Sequence, residues 1–255
     1  MIPLLVTISF SHFCDKARWA LDLAQIEYRE AAHLPAFHLV PVKRAGGRRT
    51  TPTLVTDERV LTDSSDILAW VDHTRPDLGL YGRSDDERRE ILELEDLFDE
   101  KLGPHARRWA YHHLLPDRAF AMAMFDAQTM TPAYERALMK VLFPVVRLAM
   151  QRSMGIDARS AERSRGEVDR VFDEIGERLA SGRRYLVGDA FTAADLTFAA
   201  LATAALLSDD PESRLPALAD VPAQPAAGIA AWREHPAGVF ARRIMREHRR
   251  PSAAS

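Results

Sequence analysis

Residues 9–21 read SFSHFCDKARWAL and stand where a predicted strand passes into a predicted helix. The strand covers residues 3–9, which are apolar and β-branched, and apolar residues from Phe13 to Ala24 recur at helical spacing. Such a turn presents a side chain and several unpaired backbone N–H groups at the carboxyl end of a sheet. Because these groups carry partial positive charge, the turn suits an anion or a thiolate.

Cys14 is the only cysteine of the chain, and it stands three residues after Ser11 in an S-x-x-C arrangement. This is a C-x-x-C redox motif in which a hydroxyl replaces the first thiol. The structural alternative is that Ser11 caps the helix and Cys14 is a small buried apolar residue. A single cysteine also excludes a disulfide framework and a cysteine-rich zinc or iron–sulfur site.

Two later segments have a functional and a structural interpretation of the same kind. Thr51-Pro52 precedes a predicted strand, where a cis-proline would expose the backbone of the preceding residue to a bound peptide. Asp63-Ser64 begins a predicted helix, whose amides and Ser64 would hold a carboxylate while Asp63 pairs with an ammonium group. The structural alternatives are a proline at a strand start and an ordinary helix cap.

The order of the predicted elements divides the chain into two unequal domains. Residues 1–75 alternate as β-α-β-α-β-β-α, and residues 76–84 contain a proline and two glycines and are predicted to form a linker. Residues 85–250 show helical periodicity alone, and residues 251–255 are predicted to be a disordered tail. The expected fold class is therefore α+β, with an all-α helical bundle as its second domain.

Apolar stripes predict the helices of the second domain. Residues 91–109 indicate one long helix, residues 138–148 a second with a kink at Pro144, and residues 168–179 a third. Residues 193–207 are apolar nearly all round, which predicts a buried central helix. Two short helices are expected at the end of the chain, over residues 229–233 and 239–248.

The composition narrows the classes of function. The chain has 255 residues, 34 basic and 37 acidic, and a formal net charge of −3, so it lacks the basic excess of a nucleic-acid binder. It also lacks an apolar run of membrane-spanning length, a signal-peptide pattern and a glycine-rich nucleotide fingerprint. We therefore expect a cytoplasmic protein with no nucleotide cofactor, no nucleic-acid partner and no membrane association.

In their order and spacing, these motifs resemble the glutathione transferase superfamily over nearly the whole chain. Residues 11–18, SHFCDKAR, are similar to the S/C-x-x-x-x-[KR]-x-R pattern of its serine- and cysteine-type cytosolic members. Residues 192–195, TAAD, are similar to its buried capping box. The resemblance implies a thioredoxin-like first domain, a glutathione S-transferase activity of the detoxification type, and a homodimer.

The resemblance also implies a role for individual residues. Ser11 falls at the position that activates the thiol of glutathione, which would enter as a co-substrate, and Ser9 is the nearby fallback. The implied glutathione-binding residues are Thr51, Pro52, Asp63 and Ser64. The secondary candidates around the thiol position are His12, Phe13 and Cys14.

The second substrate would be a small, mostly apolar electrophile held against the helical domain. Trp109, Tyr111 and His112 lie where relatives line that cleft, although Trp109 suits core packing equally well. No metal site is expected, because adjacent histidines on a helix point about 100° apart and no H-E-x-x-H occurs. The Arg107-Arg108 pair is expected on a solvated face.

Two other functions remain open at this point. Residues 48–50, Arg-Arg-Thr, stand where the family usually has Gly-Lys-Val or similar, which favours a binding or interaction protein that keeps the fold without catalysis. Cys14 itself would serve a thiol–disulfide or deglutathionylation enzyme. A reactive Cys14 would have to be exposed and have a low pKa, which the structure can show.

Overall fold

The computed structural model describes residues 1–208 and 214–249, so the predicted tail at 251–255 lies outside the described residues. The first domain has the predicted order of elements. They are β1 (Leu4–Ile8), α1 (His12–Leu23), β2 (Arg29–His33), α2 (Leu39–Arg44), β3 (Thr53–Val55), β4 (Val60–Leu61) and α3 (Ser64–Thr74).

The four strands form one mixed sheet in the order β2-β1-β3-β4. Strand β1 runs parallel to β2 and antiparallel to β3, and β3 and β4 form the predicted hairpin. The central strand β1 is buried from Leu5 to Thr7, which explains its apolar sequence. This is the thioredoxin-like arrangement expected for the first domain, and it aims the carboxyl end of β1 at the start of α1.

Among the described residues, the second domain contains helices and no strands. Its helices are α4 (Asp85–Leu97), α5 (Gly103–Leu114), α6 (Arg118–Asp126), α7 (Ala133–Met154), α8 (Ala158–Leu179), α9 (Ala193–Leu206), α10 (Ala223–Glu234) and α11 (Pro236–His248). Helix α9 is buried on all sides, as predicted, and Thr192 and Asp195 form its capping box. Helix α6 was not predicted, because no clear stripe marks it.

The prediction of a single long helix over residues 91–109 is wrong in one respect. A π-helical segment, Phe98–Leu102, separates α4 from α5. The reason lies in Pro104, which follows the segment: proline has no N–H to donate and its ring clashes with the carbonyl four residues earlier. The backbone hydrogen bonds of this segment follow the i→i+5 pattern. The wider turn places Asp99, and Gly103 directly after it, near α1.

Helix α7 buries a different face from the one its apolar stripe predicted. The stripe residues are exposed; they are Leu138, Val141, Leu142, Val145 and Leu148. The buried face of the helix is formed by Glu135, Met139, Phe143, Val146 and Met150. A charged residue belongs to this buried face because the Glu135 carboxylate accepts hydrogen bonds from His33 Nδ1 (2.6 Å) and the Leu34 N–H (2.9 Å).

Two buried ion clusters join the domains. In the first, the Nζ of the fully buried Lys16 lies 2.7 Å from Glu95 Oε1 and 3.0 Å from Asp99 Oδ2. The same ammonium group donates to Ser65 Oγ at 2.6 Å. Helices α1 and α3 of the first domain and the α4–α5 segment of the second therefore meet at one lysine.

The second cluster surrounds Glu30 of β2. Its carboxylate accepts from Arg18 Nε at 2.9 Å, from Arg214 at 2.7 Å and from the Thr7 hydroxyl at 2.6 Å. Burial alone would raise the pKa of Glu30, but the charges and hydrogen bonds of Arg18 and Arg214 lower it to about 2. Both basic residues of the K-x-R motif, Lys16 and Arg18, thus hold the structure together.

We expect Lys16→Met to lower the free energy of unfolding by about 3–5 kcal/mol, because it leaves two carboxylates without their buried counter-charge. Urea unfolding measures the loss, and Lys101→Met, at an exposed position of the π-helical segment, is the matched control. A loss for Lys16→Met no larger than that of the control would contradict the prediction.

Candidate functional site

The turn after β1 holds Ser11 at the start of α1. The Cys14 N–H donates to the Ser11 hydroxyl at 3.4 Å, so Ser11 is the cap of the helix. Its backbone N–H donates to the Ile8 carbonyl at 3.1 Å, which closes the turn. Ser11 is partly exposed. Its hydroxyl therefore lies at the positive end of the α1 dipole, within reach of a ligand from solvent.

The thiol of Cys14 is buried beneath Ser11 and does not reach solvent. It contacts the hydroxyls of Thr51 and Ser11 and the Ile8 carbonyl. Burial raises its pKa, although the charge of Arg18 and these hydrogen bonds act in the opposite direction. A buried, protonated thiol is a poor nucleophile, so the geometry does not favour chemistry on Cys14.

The Thr51–Pro52 peptide bond is cis, as the sequence suggested. Thr51 is partly exposed and its hydroxyl meets the Cys14 thiol, whereas Pro52 is buried. The structure thus brings the loop before β3 to the start of α1. Ser11 and Thr51 both contact the Cys14 thiol, so the two residues lie close together.

At the start of α3, both residues of the predicted Asp63-Ser64 pair already have structural roles. Asp63 is exposed and its carboxylate accepts from the Ser65 N–H at 2.8 Å, so it caps α3. Ser64 is buried. Ser65, which the sequence did not single out, joins the Lys16 cluster and donates to Asp99 at 2.5 Å. Ser65 is distinguished from Ser64 by its contact with Asp99, and the local sequence does not indicate that contact.

His12 and Phe13 connect the start of α1 to the start of α5. His12 is buried and its Nε2 donates to the Gly103 carbonyl at 3.1 Å. A Cβ on Gly103 would lie 2.6 Å from the Phe13 ring, so only glycine allows this approach of the two helices. Burial lowers the pKa of His12 to about 3, and the charge of Arg107 acts in the same direction.

The predicted cleft residues on α5 separate into two groups. Trp109 does not line the cleft: it is 3% exposed and its ring centroid lies 4.6 Å from that of Trp232 in the helical core. Tyr111 is partly exposed and packs against the cluster that contains Phe10. Residues two apart on a helix point about 200° apart, which explains the separation. His112 is partly exposed, and its ring lies 4.9 Å from that of His113.

Arg107 and Arg108 are not the solvated pair that the sequence suggested. Arg108 bonds to the Met154 carbonyl (3.0 Å) and the Ser164 hydroxyl (3.1 Å). The guanidinium carbon of Arg107 lies 5.9 Å from the centre of the Phe13 ring. Its Nε is buried without a hydrogen-bond partner. Sequence reasoning missed Arg107 because two adjacent arginines on a helix normally face water.

Ser9, the fallback for Ser11, is already engaged. It is buried and its hydroxyl donates to Gln128 Oε1 at 2.7 Å. Gln128 also lines a cavity of about 610 Å³ between α6 and residues 214–222. Neither Ser11 nor Tyr111 lines this cavity, which belongs to the helical domain.

Within the described residues, no helix has the length and apolar character needed to cross a membrane. The same part of the chain contains no group of three or more His, Cys, Asp or Glu side chains arranged to hold a metal ion.

Two family models match the sequence, and together they cover more than half of the chain. The model of the glutathione S-transferase N-terminal domain matches residues 5–79, and that of the C-terminal domain matches residues 158–235. The first match contains the turn, the cis-proline and the start of α3. The chain belongs to the glutathione transferase superfamily.

Solved structures of this superfamily share the fold at low sequence identity. Glutathione transferase F2 from Populus trichocarpa is 14% identical, with a TM-score of 0.58 over 96% of this chain and 99% of its own. The β-etherase LigF from Sphingobium sp. strain SYK-6 is 18% identical, with a TM-score of 0.59 over 94% and 98%. A Methylobacterium radiotolerans enzyme, crystallised with glutathione sulfonate, is 19% identical, with a TM-score of 0.56 over 95% of both chains. No curated protein matches the sequence significantly.

The depressed pKa of His12 predicts a pH-dependent stability. The folded protein keeps His12 neutral down to about pH 3, whereas the unfolded chain protonates it near 6.5. Between these values the unfolded state binds the extra proton, so the free energy of unfolding falls as the pH falls. We expect this group to remove about 1.6 kcal/mol between pH 6.5 and pH 5.

His12→Gln keeps an N–H donor for the Gly103 carbonyl and has no titrating group, so it should lack this part of the loss. Urea unfolding of both proteins at the two pH values measures the difference. If the two proteins lose the same stability on acidification, His12 does not have the proposed environment.

Proposed function

We propose that the protein is a glutathione S-transferase in which Ser11 activates the glutathione thiol for attack on a small, mostly apolar electrophile. The observation that carries the proposal is the position of Ser11. Its partly exposed hydroxyl stands at the N-terminus of α1, beside Thr51 and the cis peptide bond that follows it. Glutathione is the co-substrate, and the reaction requires no metal or nucleotide.

The chemistry needs a thiolate, and a free thiol with a pKa near 8.5 is mostly protonated at neutral pH. The Ser11 hydroxyl would donate a hydrogen bond to the thiolate, and the positive end of the α1 dipole favours the same charged form. A shift of two pKa units corresponds to about 2.7 kcal/mol. One charge-assisted hydrogen bond and one helix terminus supply energy of that order.

We propose that the peptide part of glutathione lies along the first domain. The Thr51 backbone before Pro52 would pair with the cysteinyl residue, and Asp63 with Ser64 at the start of α3 would hold the γ-glutamyl end. The exposed carboxylate of Asp63 can receive an ammonium group, and the first amides of α3 can receive a carboxylate. Arg48 and Arg49 are exposed beside the loop, so the glycyl end would meet positive charge.

Two alternatives give different expectations. An enzyme that uses Cys14 directly requires an accessible thiolate, and the burial and raised pKa of Cys14 oppose it. A non-catalytic binding protein of the same fold would retain glutathione without conjugating it. The partial exposure of Ser11 at the start of α1 favours activation of a bound thiol over chemistry on Cys14, and a conjugation assay distinguishes the transferase from the binding protein.

We also propose that the protein is a cytoplasmic homodimer, with the small domain of one subunit against the long helices of its partner. The support is the apolar stripe of α7, where Val141 is 76% and Val145 is 68% exposed. A continuous apolar stripe on an exposed helix face indicates a protein–protein interface, whereas the surface of a monomer usually has only scattered apolar residues.

Ser11→Ala should lower kcat/KM for glutathione and an electrophilic chloronitrobenzene by about tenfold to hundredfold, because a charge-assisted hydrogen bond to the thiolate is lost. The loss of the cap costs only about 1 kcal/mol of stability. Steady-state conjugation measures the rate, and Cys14→Ala is the control that keeps it. An unchanged rate in Ser11→Ala would reduce Ser11 to a helix cap, and glutathione-affinity retention without any conjugation would favour the binding protein.

Val141→Glu combined with Val145→Glu should convert the dimer into a monomer, because two carboxylates would be desolvated in an apolar interface. Light scattering after size-exclusion chromatography measures the mass. Ala180→Glu combined with Ser181→Glu, at two exposed positions after α8, is the charge-matched control and should remain dimeric. A double variant that stays a dimer would remove this stripe from the interface.

A further inference from the structure

The face of α5 that meets α1 carries a cation without a counter-ion. Gly103, Arg107 and Tyr111 are spaced by four residues, so they lie on one face of the helix. Gly103 touches His12 and Phe13, and Arg107 lies one turn further along, over the Phe13 ring. Tyr111 follows after another turn and packs against the cluster of Phe10.

Arg107 has no ion pair within residues 1–208 and 214–249, and its buried Nε has no hydrogen-bond partner. An unsatisfied buried donor on a charged group costs free energy, and native proteins rarely keep one without a reason. Arg108, the next residue, shows the contrast, because its guanidinium group is satisfied by Met154 and Ser164. The donors of Arg107 are thus available to a ligand.

The surroundings of Arg107 are open to solvent and adjoin Ser11. Ser11, Phe13, Arg107 and Tyr111 are each partly exposed. Arg107 lies over the Phe13 ring and its charge acts on His12, the residue after Ser11, so the guanidinium group faces the first turn of α1. The surface between α1 and α5 is therefore aromatic with one positive charge, which suits an apolar molecule with one anionic group.

The location favours the second substrate over glutathione as the source of that anion. The charge of Arg107 acts on His12 and Tyr111, whereas the charge that acts on the Cys14 thiol is that of Arg18. Arg107 belongs to the helical-domain wall, and the proposed glutathione contacts Thr51, Asp63 and Ser64 belong to the first domain.

We propose that Arg107 is the specificity-determining residue of the cleft and that the preferred electrophile is an apolar molecule that carries a carboxylate. This inference rests on the proposed transferase function and narrows its substrate class. The guanidinium group presents paired N–H donors to the two carboxylate oxygens, and Phe13 and Tyr111 contact the apolar part. A neutral electrophile of the same shape would leave Arg107 desolvated and unpaired, which is the basis of the selectivity.

The test compares 4-chloro-3-nitrobenzoate with 4-chloro-3-nitrobenzamide, each rate divided by its uncatalysed rate. The glutathione thiolate attacks the ring carbon that bears chlorine; a C–S bond forms, the C–Cl bond breaks, and chloride leaves with the electron pair. The thiol proton passes to the buffer. We expect the protein to prefer the benzoate by about tenfold to hundredfold in kcat/KM.

Arg107→Gln should abolish that preference by lowering the rate with the benzoate, and the benzamide rate should not fall in parallel, since the variant loses the charge pair and also the cost of desolvating an unpaired guanidinium group. Arg107→Lys should keep part of it, and Arg163→Gln, which removes an exposed charge from α8, should keep all of it. An unmodified protein that conjugates both compounds without a preference for the benzoate overturns the inference, whatever the variants do. Equal losses on both electrophiles in Arg107→Gln also overturn it.

A binding measurement separates this inference from the proposed function. Calorimetric titration with the unreactive 3-nitrobenzoate and 3-nitrobenzamide, in the presence of glutathione, reports affinity without turnover. Selective binding of the benzoate that Arg107→Gln removes supports the anion subsite even if neither chloro compound is conjugated, in which case the transferase function fails alone. If the protein conjugates both chloro compounds and binds 3-nitrobenzoate and 3-nitrobenzamide with equal affinity, the transferase function stands and the anion subsite is refuted.

Discussion

The burial of the Lys16 ammonium group is the constraint on which the rest of the structure depends. A charge removed from water must find counter-charges at hydrogen-bonding distance, and Lys16 finds them in Glu95 and Asp99 of the helical domain. Lys16 lies within α1, so these ion pairs fix the position of α1 relative to the helical domain. Ser11 stands at the first turn of the same helix, and its placement therefore follows from a contact one turn deeper in the molecule.

The second wall of the site depends on the departure from α-helical geometry between α4 and α5. The π-helical segment presents Asp99 to Lys16, and Gly103 follows it against Phe13. A regular helix would have a different phase beyond this point, and Arg107 and Tyr111 would be rotated away from α1 by about 100°. One irregular turn thus serves both the ion cluster and the aromatic face beside Ser11.

The parts of the fold that depend on local chemistry could be predicted from the sequence. The strand-to-helix turn at Ser11 and the capping box of Asp195 each rest on residues within a few positions of one another, whereas the cis bond at Pro52 is expected from the family resemblance. The buried face of α7 could not be predicted, because Glu135 is buried only through its bonds to His33 and Leu34. The candidate site divides in the same way: Ser11 and Thr51 are predicted from a sequence pattern, whereas the orientation of Arg107 and the core position of Trp109 follow from helix phase and tertiary neighbours.

The concealment of Cys14 has a practical consequence. The chain has one thiol, and the native fold shields it from solvent. A cysteine introduced at an exposed position would then be the sole accessible sulfhydryl, so spectroscopic reporters could be attached there without first removing the native residue. Distances between the two domains could then be followed in an otherwise unaltered protein.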